Sequence, residues 1–155
     1  MGGAPGAGRG GGESWGTVAG ASGARCGTTV LSGNRRVGSG QLPVVDGKLL
    51  VTGGLGGGGA NQAGRAWARA CVISVIAQVK AALGGDLTRV KRVVRLGGFI
   101  ACTPEFTEHA VVMNGASDLA VEVFGDAGRH ARSTIGVPSL PANAPVEVEA
   151  LFEIA

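Results

Sequence analysis

Near its end the chain alternates with a period of two: Val146, Val148 and Ala150 stand between Glu147, Glu149 and Leu151. Such alternation marks a half-buried strand. A second strand is written just upstream, where Ser133, Ile135 and Val137 project to one side. Pro138, Pro141 and Pro145 confine the connection, because proline has no N–H for a ladder and fixes its own φ. Read as a hairpin, the pair brings Arg132 towards Glu147, but at different ends unless a neighbouring copy of the chain intervenes.

The same reading carries through the rest of the chain. Strands are expected at Thr28 to Leu31 and, after the turn signal Ser32-Gly33-Asn34, at Arg35 to Gly40. Arg35 and Arg36 there would point to opposite faces, and unpaired burial of either is costly. Asp46-Gly47 forms a hairpin turn into a strand from Lys48 to Thr52. A helix runs from a cap at Asn61 to about Leu83, with Ala66, Ala70, Ile73 and Ala77 beside Val72, Ile76, Val79 and Leu83 as its apolar face. Arg65, Arg69 and Lys80 take its solvent side, and Gly84-Gly85 ends it. Val90 to Cys102 reads as a central strand, with a bulge or close backbone approach at Gly97-Gly98. Thr103-Pro104 then starts a second helix, whose inward stripe is Val112, Ala116, Leu119 and Val123. The order of elements implies an α+β fold, a mixed sheet with two helices on one face. Val93, Ile135, Val137, Val146 and Val148 are more apolar sheet than two helices cover, which favours self-association.

Composition divides the chain. Most of its 30 glycines fall at or before Gly64, so residues 1–27 are expected to form a disordered tail and residues 28–155 a single domain. The net charge of +3 comes from scattered arginines, which permits nucleic acid without indicating it. Cys26, Cys71 and Cys102 form no CxxC pair, and neither histidine, His109 or His130, stands at metal-ligand spacing from them, so zinc is not expected. An odd cysteine count, no apolar run near the ~20 residues of a membrane helix and no apolar leader point to a cytoplasmic protein with reduced thiols. Neither the glycine run at 53–59 nor Gly84-Gly85 carries the lysine and Ser/Thr of a phosphate-binding loop.

One ordered set of motifs adds a family. Ala131-Arg132-Ser133, Ile135-Gly136-Val137, Leu140-Pro141 and Val146 to Ala150 resemble the closing strands of the Rid/YjgF family, the reactive intermediate or imine deaminases also labelled L-PSP endoribonuclease-like. Val112 to Leu119 and Gly125 to Ser133 resemble its longer-looped branch, often called chorismate mutase-like. The resemblance spans roughly residues 39 to 155. It implies a homotrimer whose sheets form a central barrel, with sites in the clefts between subunits.

The resemblance also implies a chemistry. Arg132 matches the arginine that grips the carboxylate of a 2-imino or enamine acid, a role its planar fork suits. Glu147 matches the acid that orients water, Asn114 a helix asparagine at the pocket, and Gly40 and Thr134 wall or backbone contacts. Hydrolysis of C=N needs water, a proton donor and a fixed substrate, so no metal or organic cofactor is implied. The family's pocket tyrosine has no counterpart in a chain without tyrosine, and Thr134 stands where many members carry cysteine; substrate preference is expected to differ accordingly. Without the resemblance, Arg132 reads as a solvated strand-end arginine and Glu147 as an exposed strand residue. His130 reads either as a loop histidine or as a general acid, and Ser133 lacks the glycines of a nucleophile elbow. The partner expected is a small imino or oxo acid; the competing functions are a non-catalytic carboxylate-binding homologue and an endoribonuclease, for which aromatics at 4% give little material for base stacking.

Overall fold

The computed structural model describes residues 26–56 and 61–155. The expected tail therefore lies, up to residue 25, outside the described residues, as do residues 57–60 of the glycine loop.

A hairpin of β1 (Thr29–Ser32) and β2 (Arg35–Gln41) opens the fold, followed by the small pair β3 (Val44–Val45) and β4 (Lys48–Leu49). Asp46 and Gly47 both have positive φ, 50° and 75°, the conformation a two-residue hairpin turn demands. The strand expected to reach Thr52 stops at Leu49. Helix α1 (Asn61–Ala82) precedes β5 (Val90–Ala101), α2 (His109–Phe124), β6 (Ala131–Val137) and β7 (Val146–Ile154). Gly84 and Gly85 terminate α1 at φ of 68° and 94°, with the Gly85 N–H donating to the Lys80 carbonyl, as a left-handed helix cap does.

The five-stranded sheet runs β1-β2-β7-β5-β6. β6 lies parallel to β5, whereas β7 lies antiparallel to β5 and to β2. The expected hairpin of β6 and β7 is thus overturned, because β5 sits between them. The cause is the crossover: β5, α2 and β6 form one βαβ unit, which seats β6 against β5 on the sheet edge. β7 takes the centre, where its alternate residues Val146, Val148, Ala150, Phe152 and Ile154 are all buried. The proline-rich connection crosses the end of β5, with the Ala101 N–H donating to the Pro145 carbonyl and the Cys102 N–H to Val137.

Both helices cover one face, as expected. Val72, Val75 and Val79 of α1 and Val112, Met113 and Ala116 of α2 meet Val93, Leu96 and Ile100 of β5 and the buried row of β7 in a single core. The helices approach closely at Gly115, where a side chain would meet the backbone of Arg65. Outside, Arg65–Asp118 and Arg69–Glu122 ion pairs, each 2.8 Å, link the two helices. Val123 does not belong to the inward stripe; it is exposed at the helix end.

Other expectations change in detail. Thr103-Pro104 does not start α2: the Thr103 N–H donates to the Leu55 carbonyl in extended pairing, and a residue before proline is held out of the helical region. Asn61 does not cap α1 but lies within it, and its amide donates to Glu108 at 2.6 Å. At Gly97 and Gly98 there is close approach without a bulge, since added side chains would strike Glu149 and Met113; the register shifts of β5 fall earlier, between Val90 and Arg95. Arg35 is exposed, and Arg36, half-buried, donates to Thr29 Oγ1 at 3.3 Å. The uncovered face also differs. Val93, Val146 and Val148 are buried under the helices, whereas Ile135 is 52% exposed on the open face as expected, together with Val30 and Val37 at 58% and 46%.

Candidate functional site

Helical spacing places Ala110, Asn114 and Ser117, four and three residues apart, along one side of α2. That side faces β6, and Arg132 reaches across to it. Its Nη1 donates to Asn114 Oδ1 and to Ser117 Oγ, both at 3.0 Å, and its Nη2 to the Ala110 carbonyl at 3.4 Å. Ser117 is in turn 2.9 Å from His130 Nε2, and His130 Nδ1 lies 2.6 Å from the Gly128 carbonyl. The sequence alone does not single out Ser117. The spacing carries the signal: Ser117 stands three positions after Asn114, which puts the two polar side chains on one side of α2.

Thr134 lies two residues beyond Arg132 and so on the same face of β6. Its hydroxyl oxygen is buried and has no hydrogen-bond partner, an uncommon state for a buried polar atom. Arg132, bonded across to Asn114 of α2, and Thr134 with its unpartnered hydroxyl therefore share the helix-facing side of the edge strand β6.

Glu147 and Gly40 form a second cluster elsewhere. A register shift of β2 between Gly38 and Gln41 turns Gly40 to the open face. A side chain at Gly40 would collide with the Glu147 carboxyl, so glycine there is what leaves the acid room. Burial raises the Glu147 carboxyl above its ordinary range, with a further contribution from the nearby charge of Glu149.

One chain does not bring the two clusters together. Arg132 is level with Leu96 of β5, and Glu147 with Phe99. The offset is roughly 10 Å across two strand spacings and roughly 10 Å along the strands. Parity adds to the separation: Arg132 bonds to α2 on the covered face, whereas Glu147 alternates with buried Val146 and Val148 and projects to the other.

A separate cleft of about 430 Å³ is lined by Gly53 to Gly56, Ala101 to Thr103, Pro138 and Asn143. Cys102 lies at its wall, 3.4 Å from His109 Nε2, and burial pushes its thiol up, away from the thiolate a nucleophile needs. None of the five expected site residues lines this cleft. Among the described residues no group of three metal-ligating side chains converges, and no helix is long and apolar enough to cross a membrane.

Comparison with known proteins extends the match. The family model described as "YjgF/chorismate_mutase-like, putative endoribonuclease" matches residues 10–154, well before the residue 39 at which the sequence resemblance fades. Protein TCP17 of Trypanosoma cruzi is 52% identical over 126 residues, 81% of this chain and 78% of that protein. The crystal structure of Atu1372 from Agrobacterium tumefaciens, a protein of unknown function, is 46% identical, with a TM-score of 0.81 over 85% of this chain and 83% of its own. A Shewanella oneidensis structure described as a "putative endoribonuclease" is 36% identical, with a TM-score of 0.82 over 86% and 88% of the two chains.

Proposed function

Since the chain belongs to the YjgF/chorismate mutase-like family, we propose that it hydrolyses small 2-imino or enamine acids to 2-oxo acids and ammonia, in clefts that two protomers complete. The observation that carries this reading is the tethered guanidinium of Arg132 beside the unpartnered hydroxyl of Thr134. A planar carboxylate matches that guanidinium in shape and charge. Arg132, Asn114 and Thr134 of one protomer would hold the substrate, and Gly40 and Glu147 of the next would face its C=N carbon.

Chemistry there needs no redox step. Water adds to the C=N carbon of the iminium form, and Glu147 accepts the proton that water loses. Glu147 returns that proton to the carbinolamine nitrogen and takes the hydroxyl proton as the C–N bond breaks, so ammonia leaves as the 2-oxo acid forms, and the proton on Glu147 passes to ammonia or water. A carboxyl raised by burial suits both steps, since it binds a proton at higher pH than an exposed one. Assembly follows from the open face, on which Val30, Val37 and Ile135 are exposed; a homotrimer would cover them and have about three times the 15.3 kDa chain mass.

The test is turnover of a freshly generated imino acid, followed by ammonia and 2-oxo acid release. Acceleration over the uncatalysed rate supports the enzyme. Saturable binding of 2-oxo acids without acceleration would instead make the chain a carboxylate-binding homologue.

A further inference from the structure

We propose that His130, acting through Ser117, sets the orientation of the Arg132 guanidinium and so selects the edge offered to a ligand. The inference rests on the carboxylate-gripping role of Arg132, and His130 and Ser117 are its positioning residues.

The argument begins at Gly128, whose carbonyl can only accept. At 2.6 Å from His130 Nδ1, it fixes the proton of the neutral imidazole on that nitrogen. Nε2 is then an acceptor, and its neighbour at 2.9 Å is the Ser117 hydroxyl. Serine has one hydrogen, and it goes to Nε2. The lone pairs of Ser117 Oγ are thereby left to face Arg132 Nη1 at 3.0 Å. A serine free to rotate would spend part of its time with its hydrogen towards the guanidinium, repelling it; the histidine removes that orientation.

The consequence falls on the fork. Nη1 has two hydrogens, and Asn114 and Ser117 take both. Nη2 spends one on the Ala110 carbonyl. Nε–H and one Nη2–H remain, so an incoming carboxylate meets the guanidinium from the side away from α2. This makes His130 a determinant of binding that touches no substrate. It also accounts for a half-buried histidine whose two nitrogens are both engaged.

The experiment measures pyruvate binding by calorimetry to the full chain and to His130→Ala, Ser117→Ala, His130→Gln, the His130→Ala/Ser117→Ala double variant and Arg132→Ala, with oligomer mass and Tm recorded for each. His130→Ala is expected to weaken binding about two- to tenfold, the worth of one neutral hydrogen bond. The double variant should bind no more weakly than Ser117→Ala alone, because the two residues act along one path. His130→Gln, whose amide oxygen can accept from Ser117, should recover to within about twofold of wild type, a rescue that a mere packing role would not produce. Wild-type affinity in His130→Ala, additive losses in the double variant, or no rescue by Gln in a folded protein would each overturn the inference. If Arg132→Ala itself binds pyruvate like wild type, the carboxylate reading fails and this inference falls with it; if Arg132→Ala alone loses binding, only the inference fails.

Discussion

Replacing Arg132 by alanine removes the one charged donor of its cluster. In the free protein its partners are neutral, the Asn114 and Ser117 side chains and the Ala110 carbonyl, and all three are near enough to the β6 edge for water to replace it. Stability should therefore change by no more than about 1 kcal/mol, as at other half-exposed sites. Binding is another matter. A hydrogen bond to a charged group is worth about 1.5–3 kcal/mol, so affinity for a small 2-oxo acid should fall roughly tenfold to 150-fold. Arg132→Lys should fall between, because ammonium restores the charge without the planar fork. Calorimetric titration of the three proteins, with mass and Tm measured alongside, separates the effects. Dissociation or unfolding of Arg132→Ala, with affinity intact in what remains folded, would refute the reasoning and make Arg132 a structural strand-end residue.

Further expectations follow from the same geometry. Gly40→Ala places a methyl against the Glu147 carboxyl, so turnover should drop while oligomer mass and pyruvate affinity hold; unchanged turnover would detach Glu147 from the chemistry. Gly115→Ala drives a methyl into the Arg65 backbone, and overpacking of this kind costs about 1–3 kcal/mol, or roughly 2–12 °C in Tm at this chain length; a wild-type Tm would contradict the close helix crossing. Cys71 is buried with its thiol pKa pushed far up by desolvation, so a maleimide at pH 8 should label exposed Cys26 and spare Cys71 until denaturant is added. Equal labelling in the native state would place Cys71 outside the core.

Local pattern was legible where a single element decides it. The period-two row of β7, the glycine stop of α1 and the Asp46-Gly47 turn follow from residues within a few positions of one another. Strand order was not, because the βαβ crossover through α2 inserts β5 between β6 and β7, and no property of the proline-rich connection reveals that. Thr103-Pro104 has the look of a helix start, but the Thr103 N–H is taken by Leu55, nearly fifty residues away in sequence. Of the site, Arg132 and Asn114 were legible together through the family motif, and the structure joins them at 3.0 Å. The expectation that Arg132 and Glu147 lie towards different ends agrees with their three-residue offset along β5, to which the opposite sheet faces and the intervening strand add. Ser117 is not legible in the sequence, because a helix serine is usually solvated and only the fold brings His130 against it.

The most direct test of a site shared between protomers is subunit mixing. Arg132→Ala and Glu147→Gln are each made, confirmed as inactive or slowed, then unfolded, mixed in equal amounts and refolded, and ammonia release from a freshly generated imino acid is measured. Where Arg132 of one protomer serves Glu147 of the next, random reassembly leaves about one quarter of the clefts with both residues intact, and turnover should return to about a quarter of wild type. No recovery, in mixed oligomers of unchanged mass, would contradict the shared cleft.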